Sequence, residues 1–392
     1  MTCRSTADAQ RTYIGSKDRK KERNMASVSL CMIVKDEEAV LARCLKSVQG
    51  FADEIVIVDT GSADRTKEIA AGFTEQIYSI PWEDDFAAAR NFAFSKGTGD
   101  YLFWLDADDV ILEEELHKLK GLKERLDQEQ PDVVMMKYAV GFDQSGRPTF
   151  TFYRERLIRN CGQARFRGCI HEAVVPFGRI IREDITIEHH KLKQSDTGRN
   201  LRIFEKMKEE GQKFNAREQY YYGKELYYHR QYHEALEALE SFLEMPEAWR
   251  EDKTDACRHA ALCRYQLSEY EKAGEALFRA LAFGIPRPEL CCDIGGWFLD
   301  RQEWKEAAYW YRQALRNART AGKDGFIQQD YWGYIPCLQL CVCYDRMRNY
   351  HLAERYNTLA ERLKPGTEAC GKNRRYFERR RAEMGQNRMS DI

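Results

Sequence analysis

The stretch Gly99–Ile111, GDYLFWLDADDVI, places three carboxylates directly after an apolar run. Tyr101–Leu105 is aromatic or aliphatic at every position, the pattern of a short strand covered on both faces of a mostly parallel sheet. Asp106, Asp108 and Asp109 follow at once. Ligands of open α/β sheets bind beyond the carboxyl ends of strands, and acids crowded there call for a cation. Carboxylate oxygens suit Mg²⁺ or Mn²⁺, which take one or two carboxylates together with substrate phosphates. The same acids could form a plain turn before the helix expected over Leu112–Leu126, and the residues upstream weigh between the two readings.

Six motifs surround this stretch in chain order: CMIVKDEE, IVDTGSADRT, WEDDFAAARN, LDADDV, FRGCIHEAV and ITIEHH. Asp59 ends a strand, where it could accept hydrogen bonds from a base or ribose or close its own turn. Lys35 and Glu37 follow Val34 at the end of the first strand and could line the same pocket or stay solvated. Arg90 is a fixed cation with a planar fork, suited to a diphosphate or to the acids, with Asp84 or Asp85 as rival partners. Asn91 reads as a structural hydrogen-bonding residue. Glu172 could accept a proton, or pair with Arg165 or Arg167. His171 is better suited to orient a site than to act as its base. His189 could offer an imidazole nitrogen to a metal; His190 is its neighbour, and the sequence leaves open which of the pair meets the metal and which lies at the surface. Asp109 reads as an acid at a helix N-terminus. GxGxxG after a strand, GxxxxGK[ST], GxSxG and HExxH are all absent, which removes support for dinucleotide, triphosphatase and serine-hydrolase chemistry.

In this order the motifs resemble the family 2 glycosyltransferases, over about Val28 to His190. The resemblance implies an α/β nucleotide-sugar-binding domain of the GT-A fold and an inverting hexosyl transfer. It places Val34, Lys35, Glu37, Asp59, Arg90 and Asp106 against a UDP-sugar donor. Asp106-x-Asp108 is similar to the family's DxD motif, so Asp106, Asp108 and His189 would hold Mg or Mn. Glu172 would be the catalytic base with His171 beside it. Lys191-Leu192 depart from the glycine and aromatic residue that tend to follow the histidine in related sequences. A domain of this kind followed by tetratricopeptide-like helices resembles the bacterial peptide S-glycosyltransferases of glycosylated bacteriocin pathways. That implies a peptide or protein acceptor, with a cysteine thiol as one linkage. Two alternatives stand beside it: transfer to lipid-linked or polysaccharide precursors, and a non-enzymatic repeat scaffold with a relic sugar-nucleotide domain.

The elements that must position these residues alternate. Strands are expected at Val28–Val34, Glu54–Val58, Gln76–Ile80 and Asp132–Val140, with helices at Ala39–Val48, up to Ala71, and at Ala87–Ser95. Phe150–Ile158, Gln163–Val175 and Ile180–His189 alternate like antiparallel strands, and Lys191–Asn200 reads as a linker. The pattern then turns helical and repeats. Tyr232-x-x-Ala235, Tyr270-x-x-Ala273, Trp304-x-x-Ala307 and Tyr350-x-x-Ala353 recur after 38, 34 and 46 residues, each preceded twelve residues earlier by Gly223, Ala261, Gly295 or Cys341. This resembles the tetratricopeptide repeat, a helical-hairpin solenoid. Arg217, Tyr220, Lys224 and Tyr227 are expected on the inner face of the first repeat, suited to a peptide; homodimerisation is the other use of such an array.

The expected fold class is therefore α/β followed by all-α: a basic disordered extension over 1–24, a GT-A domain over 25–195, a helical solenoid over 199–365 and a basic helical tail over 366–392. Met25 directly precedes the first strand and is a candidate start. With 392 residues and a net charge of −1, the chain gives no reason to expect a nucleic-acid partner. It has no apolar run of the ~20 residues that a membrane span needs. Its 13 cysteines form no CxxC pair, and read as reduced thiols of a cytoplasmic protein.

Overall fold

The computed structural model describes residues 25–192, 196–320 and 325–390; the expected extension over 1–24 lies outside them. β1 (Val28–Val34), α1 (Leu41–Ser47), β2 (Glu54–Asp59), α2 (Thr66–Ala71), β3 (Ile77–Ser79), α3 (Phe86–Phe94) and β4 (Tyr101–Trp104) alternate. Their strands are parallel, with β1 between β2 and β4. The chain thus reverses its winding at β1, and a crevice opens outside the carboxyl ends of β1 and β4. β5 (Asp109–Val110), α4 (Glu113–Glu129), β6 (Val133–Phe142), β7 (Pro148–Arg159), β8 (Phe166–Arg167), β9 (Ala173–Val174) and β10 (Ile180–His189) complete this half.

The sheet runs β3-β2-β1-β4-β7-β6-β10-β5. It is mixed, because β7 lies antiparallel between β4 and β6. The expected strand over Gln163–Val175 is replaced by a loop with a two-residue hairpin, β8 against β9, outside the main sheet. Gly162 and Gly168 take positive φ there, which bends the segment away from β7. One sheet face packs α1 and α4 through Leu41, Leu45, Leu119 and Leu126. The other carries α3 and the hairpin through Ala93, Phe94, Phe166 and Trp104.

The helical half opens with α5 (Arg199–Glu209). Four antiparallel pairs follow: α6 (Ala216–Tyr228) with α7 (Tyr232–Leu243), α8 (Arg250–Gln266) with α9 (Tyr270–Arg279), α10 (Pro288–Asp300) with α11 (Trp304–Asn317), and α12 (Tyr334–Arg346) with α13 (Tyr350–Leu363). α14 (Glu368–Ser390) closes the stack. The aromatic of each quartet is the first residue of a second helix, and Ala235, Ala273, Ala307 and Ala353 are all wholly buried. The small residue twelve positions earlier faces the next turn of the partner helix. A Cβ on Gly223 would lie 2.8 Å from Leu239, and one on Gly295 would lie 3.0 Å from Tyr311. Each hairpin turns through a left-handed residue at the same place, Arg230, Ser268, Gln302 or Arg348, with φ of 60–63°.

The long spacing before the last quartet carries a segment with its own role. β11 (Ile327–Gln328) pairs antiparallel with Thr151 and Phe150 of β7. Phe326 stacks on Phe150 at 5.8 Å and lies under the Lys224 ammonium at 5.1 Å. Arg287 donates to the Phe326 carbonyl at 3.3 Å, and Glu289 accepts from Gln328 N and Trp332 Nε1. Residues 326–332 therefore fill the face made by α6, α8 and α10. This corrects the expectation of an open inner face: Tyr220 is wholly buried with its hydroxyl 2.5 Å from Asp255, and Lys224 joins the same carboxylate at 3.1 Å.

Two glycines give opposite predictions. Gly223→Ala forces a methyl into Leu239 and should lower stability by about 1–3 kcal/mol. Gly121, within α4, has nothing within 4 Å of an added Cβ, so Gly121→Ala should raise it by about 0.5–1 kcal/mol. Denaturant unfolding of both variants measures the contrast.

Candidate functional site

Trp104 ends β4, and the chain turns immediately into the acids. The turn is closed on itself: Asp109 N donates to the Asp106 carbonyl at 3.0 Å, and the Asp109 carboxylate accepts from Asp106 N at 2.9 Å. Asp109 then enters β5, whose register against β10 sets it opposite His189. Here the reading of Asp109 as a helix N-terminal acid is corrected. α4 starts only at Glu113, and Asp109 is wholly buried. It accepts from Arg156 Nη1 at 3.0 Å, Tyr138 Oη at 2.9 Å and His189 Nδ1 at 3.1 Å.

Arg156 reaches this position through a β-bulge. Val134 pairs with Leu157 and Met135 with Glu155, so Arg156 is the extra residue of β7. A bulge re-aims a side chain next to a site. The guanidinium also donates to the Trp104 carbonyl at 3.1 Å and lies 3.9 Å from the Trp104 ring centre. Arg90 at 4.5 Å and Arg154 at 4.8 Å cover the same ring. Periodicity gives no sign of Arg156 or Tyr138 as site residues, because Arg156 stands in the charged run Arg154-Glu155-Arg156 of β7 and nothing in the sequence sets it apart from its neighbours.

Arg90 joins two acids. α3, capped by the Asp85 carboxylate on Ala88 N, turns Arg90 inward. Nε donates to Glu172 at 2.6 Å and Nη2 to Asp106 at 2.6 Å. Neither Asp84 nor Asp85 is its partner, and the partner of Glu172 is Arg90 rather than Arg165 or Arg167. Arg90 Nη1 is buried with no partner among the described residues. Burial alone would raise the Asp106 carboxyl, but the guanidiniums of Arg90 and Arg156 and the His189 imidazole outweigh it and hold it below the usual carboxylate range. Tyr138 donates to Asp106 at 3.2 Å as well; burial and the neighbouring Asp109 push its hydroxyl up, so it remains a donor.

His189 stands 3.1 Å from Asp108 and from Asp109. Burial opposes its charge, yet its hydrogen bonds to Asp108 and Asp109 raise it to about 10. Ligand atoms of Asp106, Asp109 and His189 lie within 4.8 Å of one another. His190 turns away, stacked on Phe142 at 4.6 Å and paired with Glu188 at 2.7 Å.

The remaining expected site residues lie at the ends of β1 and β2. The Asp59 carboxylate accepts from Gly61 N at 3.1 Å and Ser62 N at 3.2 Å, closing its own turn. The Val34 carbonyl accepts from Thr60 N at 2.9 Å. Glu37 N donates to Thr66 Oγ1 at 2.6 Å, and Lys35 is exposed. Asn91 holds the Phe166 backbone from both sides, at 3.0 and 2.8 Å. His171 is turned out of the crevice toward the helical half, 3.2 Å from Glu225. Cysteines among the described residues are free, and all but Cys161 and Cys169 are buried.

Residues 29–188 match the model of Glycosyl transferase family 2; this part of the chain is a family 2 glycosyl transferase domain. A TPR repeat-containing protein of Synechococcus elongatus is 41% identical over 150 residues, 38% of this chain and 36% of that protein. The SPbeta prophage-derived glycosyltransferase SunS of Bacillus subtilis is 25% identical over 229 residues, 54% of this chain and 52% of that protein. The lipopolysaccharide core biosynthesis glycosyltransferase LpsC of Rhizobium meliloti is 29% identical over 163 residues, 39% of this chain and 58% of that protein. The chain thus spans between about a third and three fifths of the length of these relatives. No helix of the described residues is long and apolar enough to cross a membrane.

The buried pair carries a prediction of its own. Arg156→Met leaves the wholly buried Asp109 carboxylate with His189 as its remaining charged partner and should cost about 3–5 kcal/mol. Adding Asp109→Asn removes the stranded charge, so the double variant should melt above Arg156→Met alone.

Proposed function

We propose that this protein is an inverting glycosyltransferase that moves a sugar from a UDP-sugar to a peptide or protein acceptor with the help of Mg²⁺ or Mn²⁺. The observation that carries the reading is the charge constellation at the end of β4 in a family 2 domain. Asp106 and Glu172 are bridged by Arg90, with Asp108 and His189 beside them.

The residues fit a cation. Asp109 is saturated by its four donors, and Asp106 is shared between Arg90 and Tyr138. Asp108 and His189 are therefore the ligands we assign, the imidazole in its neutral form without the proton it otherwise shares with Asp108 and Asp109, with Asp106 adjacent. A divalent ion held there would supply positive charge to the departing diphosphate. Arg90 Nη1, which has no partner among the described residues, suits an oxygen of the donor substrate. Val34, Lys35, Glu37 and Asp59 edge the crevice at β1 and β2, where the nucleoside would rest.

We assign Glu172 as the base. As the acceptor's O or S bonds to the anomeric carbon, the bond to the diphosphate oxygen breaks, that oxygen keeps the electron pair, and the acceptor's proton passes to Glu172. A thiol, with an ordinary pKa near 8.5, asks least of it. The resemblance to peptide S-glycosyltransferases supports that acceptor class. Because the chain's own residues 326–332 fill the inner face of the repeats, a peptide acceptor would meet the solenoid elsewhere. The likeness to LpsC favours the second reading, an acceptor among lipid or polysaccharide precursors.

A panel of UDP-glucose, UDP-galactose, UDP-N-acetylglucosamine and GDP-mannose, each with Mn²⁺, should yield a thermal shift and hydrolysis with a UDP-sugar. Asp108→Asn should abolish both without lowering the melting temperature of the free protein; full activity in that variant or in EDTA would sink the metal role. Glu172→Gln should keep UDP affinity and lower turnover by roughly 10²-fold. Weakened UDP binding with turnover intact at saturation would make Glu172 a binding residue instead.

A further inference from the structure

The loop that carries Glu172 belongs to both halves of the molecule. Ile170 is buried in the core of the helical half. His171 has a φ of 51°, a left-handed conformation that is costly for a residue with a Cβ. That turn sends two consecutive side chains in opposite directions. Glu172 points to Arg90 in the crevice. The His171 ring lies flat on Tyr221 of α6, 3.9 Å between centres and 10° between planes. Its Nε2 meets Glu225 at 3.2 Å, and Asn200 of α5 donates to the same Glu225 oxygen at 2.9 Å. The His171 carbonyl accepts from Arg217 Nε at 3.0 Å, and the next carbonyl, that of Glu172, accepts from Arg154 at 2.9 Å. Burial pushes the His171 imidazole below its usual range, so at neutral pH it is uncharged and Nε2–H donates to Glu225.

A strained backbone residue persists only where its surroundings over-determine it. Here the surroundings on one side are the catalytic domain and on the other α5 and α6. A turn of this kind has one other use, as a simple loop reversal, but a reversal needs neither a stacked ring nor a carboxylate partner from another domain.

We propose that His171 is a positioning residue through which the first helix of the solenoid, by Tyr221, Arg217 and Glu225, holds Glu172 in place against Arg90. The helical repeats are then part of the apparatus that orients the reacting carboxylate, in addition to any role with an acceptor. The inference rests on the reading of Glu172 as the base.

The test is a double-mutant cycle on the full chain, following UDP-glucose and UDP-N-acetylglucosamine hydrolysis with Mn²⁺ and, separately, UDP affinity. His171→Asn keeps a residue that tolerates positive φ but cannot stack on Tyr221. It should lower kcat tenfold or more with UDP affinity unchanged, and it should have little further effect once Glu172→Gln is present. Equal fold-losses in the two backgrounds, with Glu172→Gln itself slow, would overturn the positioning role and leave the base intact. Normal turnover in Glu172→Gln would overturn both. Glu225→Ala gives a second route should His171→Asn fold poorly. It should reproduce the loss in kcat, and Glu225→Gln, which keeps an acceptor oxygen, should restore most of it. Failure of Glu225→Ala to change kcat would overturn the proposal.

Discussion

Asp109 and Glu172 are buried carboxylates with the half-buried Asp106 beside them, and the structure depends on how their charge is balanced. Isolated charges in such surroundings cost several kcal/mol each unless paired. Arg90 and Arg156 supply that pairing as a forked lattice: Arg90 spans Asp106 and Glu172, and Arg156 holds Asp109. Trp104 is the plate on which the lattice rests, with three guanidiniums against its ring. Because both arginines are committed, the net charge left for a ligand is concentrated at Asp108 and the edge of Asp106. A site that binds a cation and an anionic donor together needs just such a division, in which most acids are neutralised by the protein and few face the crevice.

The fold supplies each member of this lattice from a different element. Asp106 follows β4, Arg90 comes from α3, Arg156 from a bulge in β7, Tyr138 from β6 and His189 from the end of β10. No two are close in sequence except within the turn after Trp104. Strands carry three of them, Arg156, Tyr138 and His189, while Glu172 sits on a loop between two short strands. That loop is the weak point, and the helical half reinforces it. Ile170 packs into the solenoid core, while His171 and its carbonyl are bound by α6. The strand pairing of β11 with β7 makes a second bond between the halves. The solenoid is thus fastened to the first domain at two places, the Glu172 loop and β7.

Two kinds of information were legible in the sequence. A run of apolar residues ending in acids identified the strand and its carboxylate terminus, because burial of a short strand is written in consecutive residues. The helical pairs were legible because Ala235, Ala273, Ala307 and Ala353 recur where two helices must touch, with Gly223 and Gly295 opposite. Both signals are local, and each reflects a contact made many times over or by many neighbours at once. The motif order from Val28 to His190 then pointed to the family of the first domain.

What only the tertiary structure decided concerns direction and neighbourhood. Asp109 could be read as a helix acid until β5 set it against His189 and the bulge of β7 brought Arg156 beneath it. Arg156 and Tyr138 carry no periodic mark, since their roles arise from which strands become neighbours and from a single extra residue in one of them. His171 and Glu172 are adjacent in sequence yet serve opposite halves, because one left-handed φ separates them. The inner face of the repeats reads as an open groove in the sequence, and it is filled by residues 326–332, which lie there only because β11 finds a free edge on β7. In each case the deciding contact joins residues far apart in the chain, and strand order and backbone turns, which periodicity does not record, determine which ones meet.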